Sequence, residues 1–318
     1  MKNDKRTIGR VSLGGLAPFD LNLHLLESCP SSCGATADWR EVTLSVGSHA
    51  QILQALRTMT DAEFAKLLRL MSAMANQIAS AYLRTSLQPR YAGASDGIIS
   101  SNPQGYSTPA SVRVRTFDER SLGATVRLLE TVAHRIAQQS AAAGRARPST
   151  ANSRPDRDIS RDGAIGTISL DSRHSLDLKM LLRLGCPVDK CQIAGKGSLW
   201  LYIGDSGQIY RMLTSGTKMQ QTRRQRSMVA VAHEIAAQTL LMSTGDEYAD
   251  VAAEITVSRT EGSCGPAKVE AYVSEEQSLE ATALLVEAVA LSIARARPPQ
   301  RGATAQAKKA AGRARKRS

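Results

Sequence analysis

Two segments decide the fold of this chain: GYSTPASVRVRTFDERSLGATVRLLETVAHRIA at Gly105–Ala137 and GSCGPAKVEAYVSEEQSLEATALLVEAVALSIA at Gly262–Ala294. Aligned without a gap at an offset of 157 residues, they are identical at 15 of 33 positions. About two or three identities are expected by chance from ordinary composition. The chain therefore carries an internal repeat, and a repeat of this length is typical of a duplicated domain rather than of a solenoid.

The same offset extends beyond these segments. FDLNLHLLESC, which ends at Cys29, aligns with LDLKMLLRLGC, which ends at Cys186, and Tyr91 aligns with Tyr248. We therefore predict a first repeat over residues 7–137, a flexible Ala/Arg/Ser/Pro linker over 138–163, a second repeat over 164–294 and a disordered basic tail over 295–318. A surface that pairs two identical domains still pairs them after fusion, so the two repeats are expected to pack as an intramolecular pseudo-dimer.

Hydrophobic periodicity predicts strands at the start of each repeat, over Ile8–Leu13 and Ile165–Leu170. The stretch from Asp20 to Leu25 alternates as a strand does, whereas its counterpart LDLKMLLRL is consistent with either a strand or a short helix. Alternating apolar residues on both sides of Gly47 and of Gly204-Asp205-Ser206-Gly207 predict a β-hairpin in each repeat.

Capping boxes mark the expected helices. Thr60-x-x-Glu63 and Thr217-x-x-Gln220 begin a long helix in each repeat, and Thr116-x-x-Glu119 and Ser274-x-x-Gln277 begin the closing helix. Two strands lie between these helices, centred on Ile98 and Val112 in one repeat and on Ile255 and Val269 in the other. The expected class is α+β, with an antiparallel sheet and two helices on one of its faces in each unit.

Composition restricts the class of protein. The chain has 318 residues and 42% hydrophobic content, without an apolar run near the 18 residues of a spanning helix. Its first residues lack the apolar region of a secretory signal, and five cysteines are an odd number. We therefore expect an intracellular protein of a reducing compartment, without a membrane association.

The positive charge is concentrated at the C-terminus. The net charge is +12, of which nine Lys and Arg residues without an acid contribute +9 in residues 295–318. The linker contributes +2, so about +1 remains for everything else. This distribution predicts a basic arm that contacts the phosphates of DNA or RNA, and disfavours a deep basic groove in the folded body. The arm's candidate residues are Lys308, Lys309, Arg313, Arg315, Lys316 and Arg317.

A second basic cluster lies near the start of a predicted helix, at Arg223, Arg224 and Arg226. Positive charge at a helix N-terminus opposes the helix dipole, so an anionic partner would relieve it. These residues are therefore further candidates for nucleic-acid contact. The alternative is that they form an ordinary solvated face.

Four cysteines occur as two pairs, Cys29 with Cys33 and Cys186 with Cys191. Their spacings fall within the range of zinc-ligand pairs, and a pseudo-dimer would bring four thiolates together. Neither pair has the common C-x2-C spacing, and the two pairs differ by one residue, which favours free thiols without a cofactor; local disulfides are the third possibility.

The sequence does not predict a catalytic site. Gly204-Asp205-Ser206-Gly207 resembles the surroundings of a serine nucleophile but is made of turn residues. His233-Glu234 lacks the second histidine of a zinc protease helix. We expect a non-enzymatic nucleic-acid-associated protein of a nucleus or nucleoid. The alternatives are a protein–protein assembly or scaffold protein, with protein partners or self-association, whose tail only directs localisation, and an enzyme with its site between the repeats.

Overall fold

A computed structural model gives the structure of residues 4–297, apart from positions 15–17, 28–39, 92, 96, 104–107, 117, 144–161, 172, 185–196, 246–247, 249–250, 253, 260–264 and 274–275. These described residues are α+β, with two five-stranded antiparallel sheets and six α-helices in two roughly similar units. Within them, each unit has three helices rather than the two expected from the sequence.

The first unit contains β1 (Asp4–Val11), β2 (Phe19–Glu27), β3 (Arg40–Val46), α1 (His49–Thr58), α2 (Asp61–Thr85), a 3-10 turn (Pro89–Tyr91), β4 (Gly97–Ser101), β5 (Ala110–Thr116) and α3 (Glu119–Ala143). The second unit contains β6 (Asp162–Ser169), β7 (Ser175–Leu184), β8 (Gly197–Ile203), α4 (Ser206–Thr214), α5 (Lys218–Met242), β9 (Glu254–Arg259), β10 (Ala267–Val273) and α6 (Glu276–Arg295). The ambiguous segment LDLKMLLRL is thus a strand, β7.

The two sheets have the same strand order, β1-β2-β3-β5-β4 and β6-β7-β8-β10-β9. Side chains alternate between the faces of each strand. Val42, Leu44 and Val46 of β3 lie in the core of the first unit, and Leu199, Leu201 and Ile203 of β8 in that of the second. The helices pack on these apolar faces, as the sequence predicted.

The predicted β-hairpins are wrong, because a short helix follows β3 and β8. Gly47 and Gly204 take positive φ angles of 84° and 81° and end the strands. Ser48 and Asp205 are the N-caps of α1 and α4, and both form capping boxes, with Gln51 and Gln208 respectively. The alternating apolar pattern was compatible with both structures, and the capping boxes are the signal that was overlooked.

The capping boxes of the long helices are confirmed. Thr60 caps α2 with Glu63, and Thr217 caps α5 with Gln220. The box assigned to Thr116 is wrong, because Thr116 ends β5 and the backbone N–H of Ser121 donates to the Asp118 carboxylate at 2.8 Å. The box at Ser274 falls on a residue outside those that the structure describes.

The two units meet along α2 and α5, which pack against each other over much of their length. Ala73 of α2 is buried in the core of the second unit, and Ala230 of α5 in the core of the first. The edge strands β4 and β9 also lie side by side, and Asn102 Nδ2 donates to the carbonyl of Ile255 at 3.0 Å. The cores are therefore continuous across the helix pair.

Helix α6 is apolar enough to satisfy the length and composition test for a membrane span over Gln277–Arg295, with a mean hydropathy of 1.4. In this fold it contacts sheet strands β6, β7, β8 and β10. Leu279, Ala283, Val286, Ala290 and Ile293 form its buried stripe. These five residues belong to the core of the second unit.

Candidate nucleic-acid interface

The basic arm lies outside the described residues, which end at Arg297. Its candidates Lys308, Lys309, Arg313, Arg315, Lys316 and Arg317 therefore stay a prediction. The structure does describe the root of the arm. Arg297 pairs with the carboxylate of Glu234 on α5, to which Arg84 at the end of α2 also donates. The arm therefore leaves the body beside the contact between the two long helices.

The predicted cluster on α5 separates into three different environments. Arg223 is exposed, as a residue that contacts an anion must be. Arg224 is 9% exposed, and its Nη1 donates to the carbonyls of Met212 and Ser215 at 3.0 and 2.6 Å. Its Nε donates to the Asp171 carboxylate at 3.1 Å. Arg224 thus holds the end of α4 against α5 and has few donors left for a phosphate.

Asp171 is the counter-charge of Arg224. Burial on its own would raise the pKa of this carboxyl group. Hydrogen bonds from the Arg173 backbone, His174 and Arg224 outweigh burial and lower that pKa to about 2. The pair is therefore ionised across the neutral pH range and stabilises the α4–α5 turn.

Arg226 reaches across to the first unit. Its Nη1 donates to the carbonyl of Ser86, the C-cap of α2, and its Nη2 to the carbonyl of Ala94, at 3.1 and 3.0 Å. Arg69 of α2 makes the corresponding contacts in the other direction, to the carbonyls of Ser243 and Val251 at 2.6 and 3.0 Å. Positive charge at a helix C-terminus interacts favourably with the helix dipole, so these arginines join the units.

A buried polar cluster lies at the same helix contact. His233 Nδ1 is 2.8 Å from Asn76 Oδ1, which also accepts from the Ser100 hydroxyl at 3.0 Å. Asn76 Nδ2 in turn donates to the carbonyl of Ser72 at 3.0 Å. His233 is 1% exposed, and burial lowers its pKa to about 3, so the ring is neutral at physiological pH. The cluster is sealed from solvent, which suits a structural role rather than acid–base catalysis.

The zinc candidates Cys29, Cys33, Cys186 and Cys191 lie outside the described residues. Within the described ranges, no group of three or more His, Cys, Asp and Glu side chains comes close enough to hold a metal ion. The zinc hypothesis therefore stays a prediction about the four cysteines alone.

The comparisons with known proteins find no relative. No protein-family model matches the chain, and neither the curated proteins nor the solved structures give a significant match.

A cationic surface that the sequence did not predict lies along α3. A shallow cavity of about 530 Å³ is lined by Tyr91, Arg127, Glu130, Thr131, His134, Arg135 and Gln138. We call it the α3 groove. Arg127, His134 and Arg135 are exposed and lie seven and eight residues apart, so they share one side of the helix. Three cationic or protonatable side chains thus face a single carboxylate.

The remaining contacts of the α3 groove strengthen its positive character. Glu130, its one acid, is paired with Arg6 of β1. His134 Nδ1 donates to the carbonyl of Glu130 at 2.8 Å, which directs Nε2 away from the helix backbone. The Arg90 guanidinium lies 4.7 Å from the ring centroid of Tyr91, whose hydroxyl donates to Thr131 at 3.3 Å. Such a surface attracts phosphate or another anion.

The α3 groove is not a requirement of the fold. The residues 157 positions after Arg127, His134 and Arg135 are Leu284, Leu291 and Ser292 on α6. The second unit therefore forms the same helix without these charges. The net charge of the body does not indicate the groove, because acidic residues elsewhere cancel the groove's positive charges in the total. The signal in the sequence was the spacing of the arginines on the polar side of a predicted helix.

Proposed function

We propose that this protein is a non-enzymatic nucleic-acid-associated protein, in which the α3 groove and the basic C-terminal arm contact the phosphates of DNA or RNA. The observation that carries the proposal is the α3 groove, because it places exposed arginines on a rigid helix of the folded body. Arginine side chains suit this role, since their planar guanidinium groups bind phosphate through two parallel hydrogen bonds.

We further propose that the body is a tandem duplication packed as an intramolecular pseudo-dimer. Reciprocal contacts support it: Arg69 and Arg226 are 157 residues apart, and so are their acceptors Ser86 and Ser243, and Ala94 and Val251. Asn76 and His233, also 157 apart, contact each other directly. In an isologous interface, every contact between the two units occurs a second time, between the equivalent residues with their roles exchanged. The arginine contacts follow this rule.

In this proposal the arm and the α3 groove have different roles in binding the phosphates. The arm carries seven Lys and Arg residues after Arg297, and contributes sequence-independent affinity through counterion release. The α3 groove fixes where the nucleic acid lies on the body, because phosphate contacts position a protein without specifying a sequence. Arg223 is the remaining candidate of the α5 cluster. A nucleus or nucleoid is the compartment that this partner implies.

A salt titration tests the proposal. For full-length protein and a DNA duplex, log K is plotted against the logarithm of the salt concentration. Ending the chain after Arg297 should make the slope of this plot less negative by about 4 to 6. Arg127→Gln with Arg135→Gln should flatten the slope by about 2 more, since each lost phosphate contact removes about one. Arg57→Gln, which removes one exposed charge from α1, is the matched control and should change little.

Two results would contradict the proposal. If full-length protein does not bind DNA or RNA at low salt, the nucleic-acid function is wrong. If the Arg127 and Arg135 substitutions leave the slope unchanged while the truncation removes it, the groove has no part in binding and the arm acts alone.

The second candidate function is protein assembly, with the arm serving only localisation. It is favoured by two exposed apolar side chains near the α4–α5 turn, Met219 at 82% and Tyr210 at 59% exposure. Loss of a specific protein partner on Met219→Gln, in a protein that does not bind nucleic acid, would support this candidate instead.

A further inference from the structure

The second sheet carries an aromatic cluster on the face opposite to its helices. Leu199, Leu201 and Ile203 of the central strand β8 point into the core, so Trp200 and Tyr202 lie on the other face. The two rings meet edge to face, with centroids 6.4 Å apart and planes at 88°. The chain is only 4% aromatic, so two neighbouring aromatic side chains on one strand face stand out from its composition.

Cations from both neighbouring strands lie over the indole ring. The Arg183 guanidinium of β7 lies 4.4 Å from the ring centroid of Trp200, and Lys268 Nζ of β10 lies 4.7 Å from it. Arg183 is exposed. We call Trp200, Tyr202, Arg183 and Lys268 the Trp200 cluster. Aromatic rings interleaved with Arg and Lys form the surface on which unpaired bases stack while their phosphates are neutralised.

The negative charge of Glu270, on the same face, is compensated by neighbouring side chains. The Glu270 carboxylate accepts from the Tyr272 hydroxyl at 2.8 Å, pairs with Lys268 at 3.0 Å, and also accepts from Ser258. Burial raises the pKa of Glu270, but these hydrogen bonds outweigh burial and leave the pKa below its usual value. Glu270 therefore fixes Lys268 and Tyr272 in place, and its charge is compensated within the protein.

The indole N–H of Trp200 is a donor with an unfulfilled hydrogen bond. Its Nε1 is buried and has no acceptor among the residues that the structure describes. Buried indole N–H groups usually find a partner. Because Nε1 is buried, an acceptor on a bound base can reach it only after the side chains over the indole ring have moved.

The fold itself does not need the Trp200 cluster. At the positions 157 residues earlier, the first sheet has Thr43 for Trp200, Ser45 for Tyr202 and Ser111 for Lys268. Thr43 pairs with Arg113 across β3 and β5 as Trp200 pairs with Glu270 across β8 and β10, so the register is the same. A sheet with small polar side chains at these positions is therefore compatible with this architecture.

From these observations we propose that the Trp200 cluster binds unpaired bases, so that the protein's preferred partner is single-stranded nucleic acid. This inference rests on the proposed function and specifies its ligand. Bases stack on the Trp200 and Tyr202 rings once the exposed Arg183 guanidinium moves off the Trp200 ring. Arg183 and Lys268 then contact the neighbouring phosphates. A duplex cannot use this surface, because its bases are already stacked on each other and present only their edges.

Substitution by the residue of the other unit tests the proposal. Trp200→Thr in the full-length protein should weaken binding to an oligodeoxythymidine of about 20 nucleotides by about 5- to 100-fold, the effect of losing one stacking platform. Affinity for a duplex of the same length should stay within about twofold, since phosphate contacts elsewhere are unchanged. Thr43→Ala, at the equivalent position of the first sheet, is the matched control and should leave both affinities unchanged.

Fluorescence provides a second measurement that does not depend on the folding of the Trp200→Thr variant. In a Trp39→Phe background, Trp200 is the only tryptophan. Its emission should be quenched on adding the single strand and not on adding the duplex. The inference is wrong if folded Trp200→Thr binds the single strand as tightly as wild type does, or if Trp200 emission is not quenched at saturation. In either case, binding of the duplex would still support the proposed function. If neither nucleic acid binds, both fail.

Discussion

At the scale of single residues, His233 shows how one side chain differs between the two units. It lies against Asn76, the residue at the same position of the other unit, and both are sealed inside the helix contact. Asparagine is uncharged at every pH, whereas histidine gains a proton, and a positive charge, below its pKa. The position on α5 is therefore titratable, and the equivalent position on α2 is not.

We predict that His233 makes stability depend on pH. Burial lowers the pKa of His233 from its ordinary value of 6.5 to about 3 in the folded protein. The unfolded chain therefore binds the proton first, and the free energy of unfolding falls as pH drops from 6.5 towards 3. By pH 5 this residue should have cost about 2 kcal/mol relative to pH 7.5. The His233→Asn variant should not show this loss of unfolding free energy. Urea denaturation at pH 7.5 and at pH 5 measures it.

The control for this prediction is His134→Asn, which replaces an exposed histidine on α3. It should keep the wild-type pH dependence, because it retains the buried His233 and changes only an exposed side chain. A His233→Asn variant that loses as much stability between pH 7.5 and 5 as wild type does would show that the histidine is not buried and neutral.

At the scale of elements, α2 and α5 each belong to two cores. Their capping boxes and apolar periodicity are local, and the sequence shows both. What the periodicity does not show is that each helix has a second apolar side, which packs on its partner instead of on its own sheet. Ala73 and Ala230 mark that side, because small residues allow the two helices to approach closely.

We predict that enlarging either alanine destabilises the whole protein. Ala73 and Ala230 are 0% and 1% exposed, so Ala73→Leu and Ala230→Leu should each lower the free energy of unfolding by about 1 to 3 kcal/mol through overpacking. Ala62→Leu, on the exposed first turn of α2, should have little effect, since leucine and alanine have similar helix propensities. Urea denaturation followed by circular dichroism measures all three variants. Variants as stable as wild type would mean that the helices do not pack closely at these positions.

At the scale of the whole molecule, the units depend on each other. Arg69 and Arg226 each provide hydrogen bonds to the helix end of the opposite unit, and each core contains a residue of the other unit's helix. A unit on its own would expose the apolar side of its long helix to water. We propose that the linker predicted over residues 138–163 raises the effective concentration of one unit around the other.

We predict that the units assemble when expressed as two separate chains, residues 1–143 and 162–318. Mixed together they should form a 1:1 complex in sedimentation velocity, because the shared core and the reciprocal arginine contacts remain. Arg69→Met with Arg226→Met should weaken that complex, since hydrogen bonds from a charged group contribute about 1.5 to 3 kcal/mol each. Two chains that remain folded monomers when mixed would contradict the pseudo-dimer proposal.

The sequence by itself determined the class and the local structure of this protein. The 157-residue offset, the alternating strands and the capping boxes at Thr60 and Thr217 depend only on the order of residues along the chain, which the sequence displays directly. The short helices after Gly47 and Gly204 were predictable too, because Ser48-x-x-Gln51 and Asp205-x-x-Gln208 have the form of capping boxes.

Only the tertiary structure decided what individual charged and aromatic side chains do. Arg223, Arg224 and Arg226 are near neighbours in sequence, yet one is exposed, one holds the end of α4 and one binds the opposite unit. The α3 groove and the Trp200 cluster are equally invisible in a net charge or a residue count. The reason is physical: a side chain's role depends on the atoms that face it in space, and those come from residues up to 182 positions away, as between Arg69 and Val251.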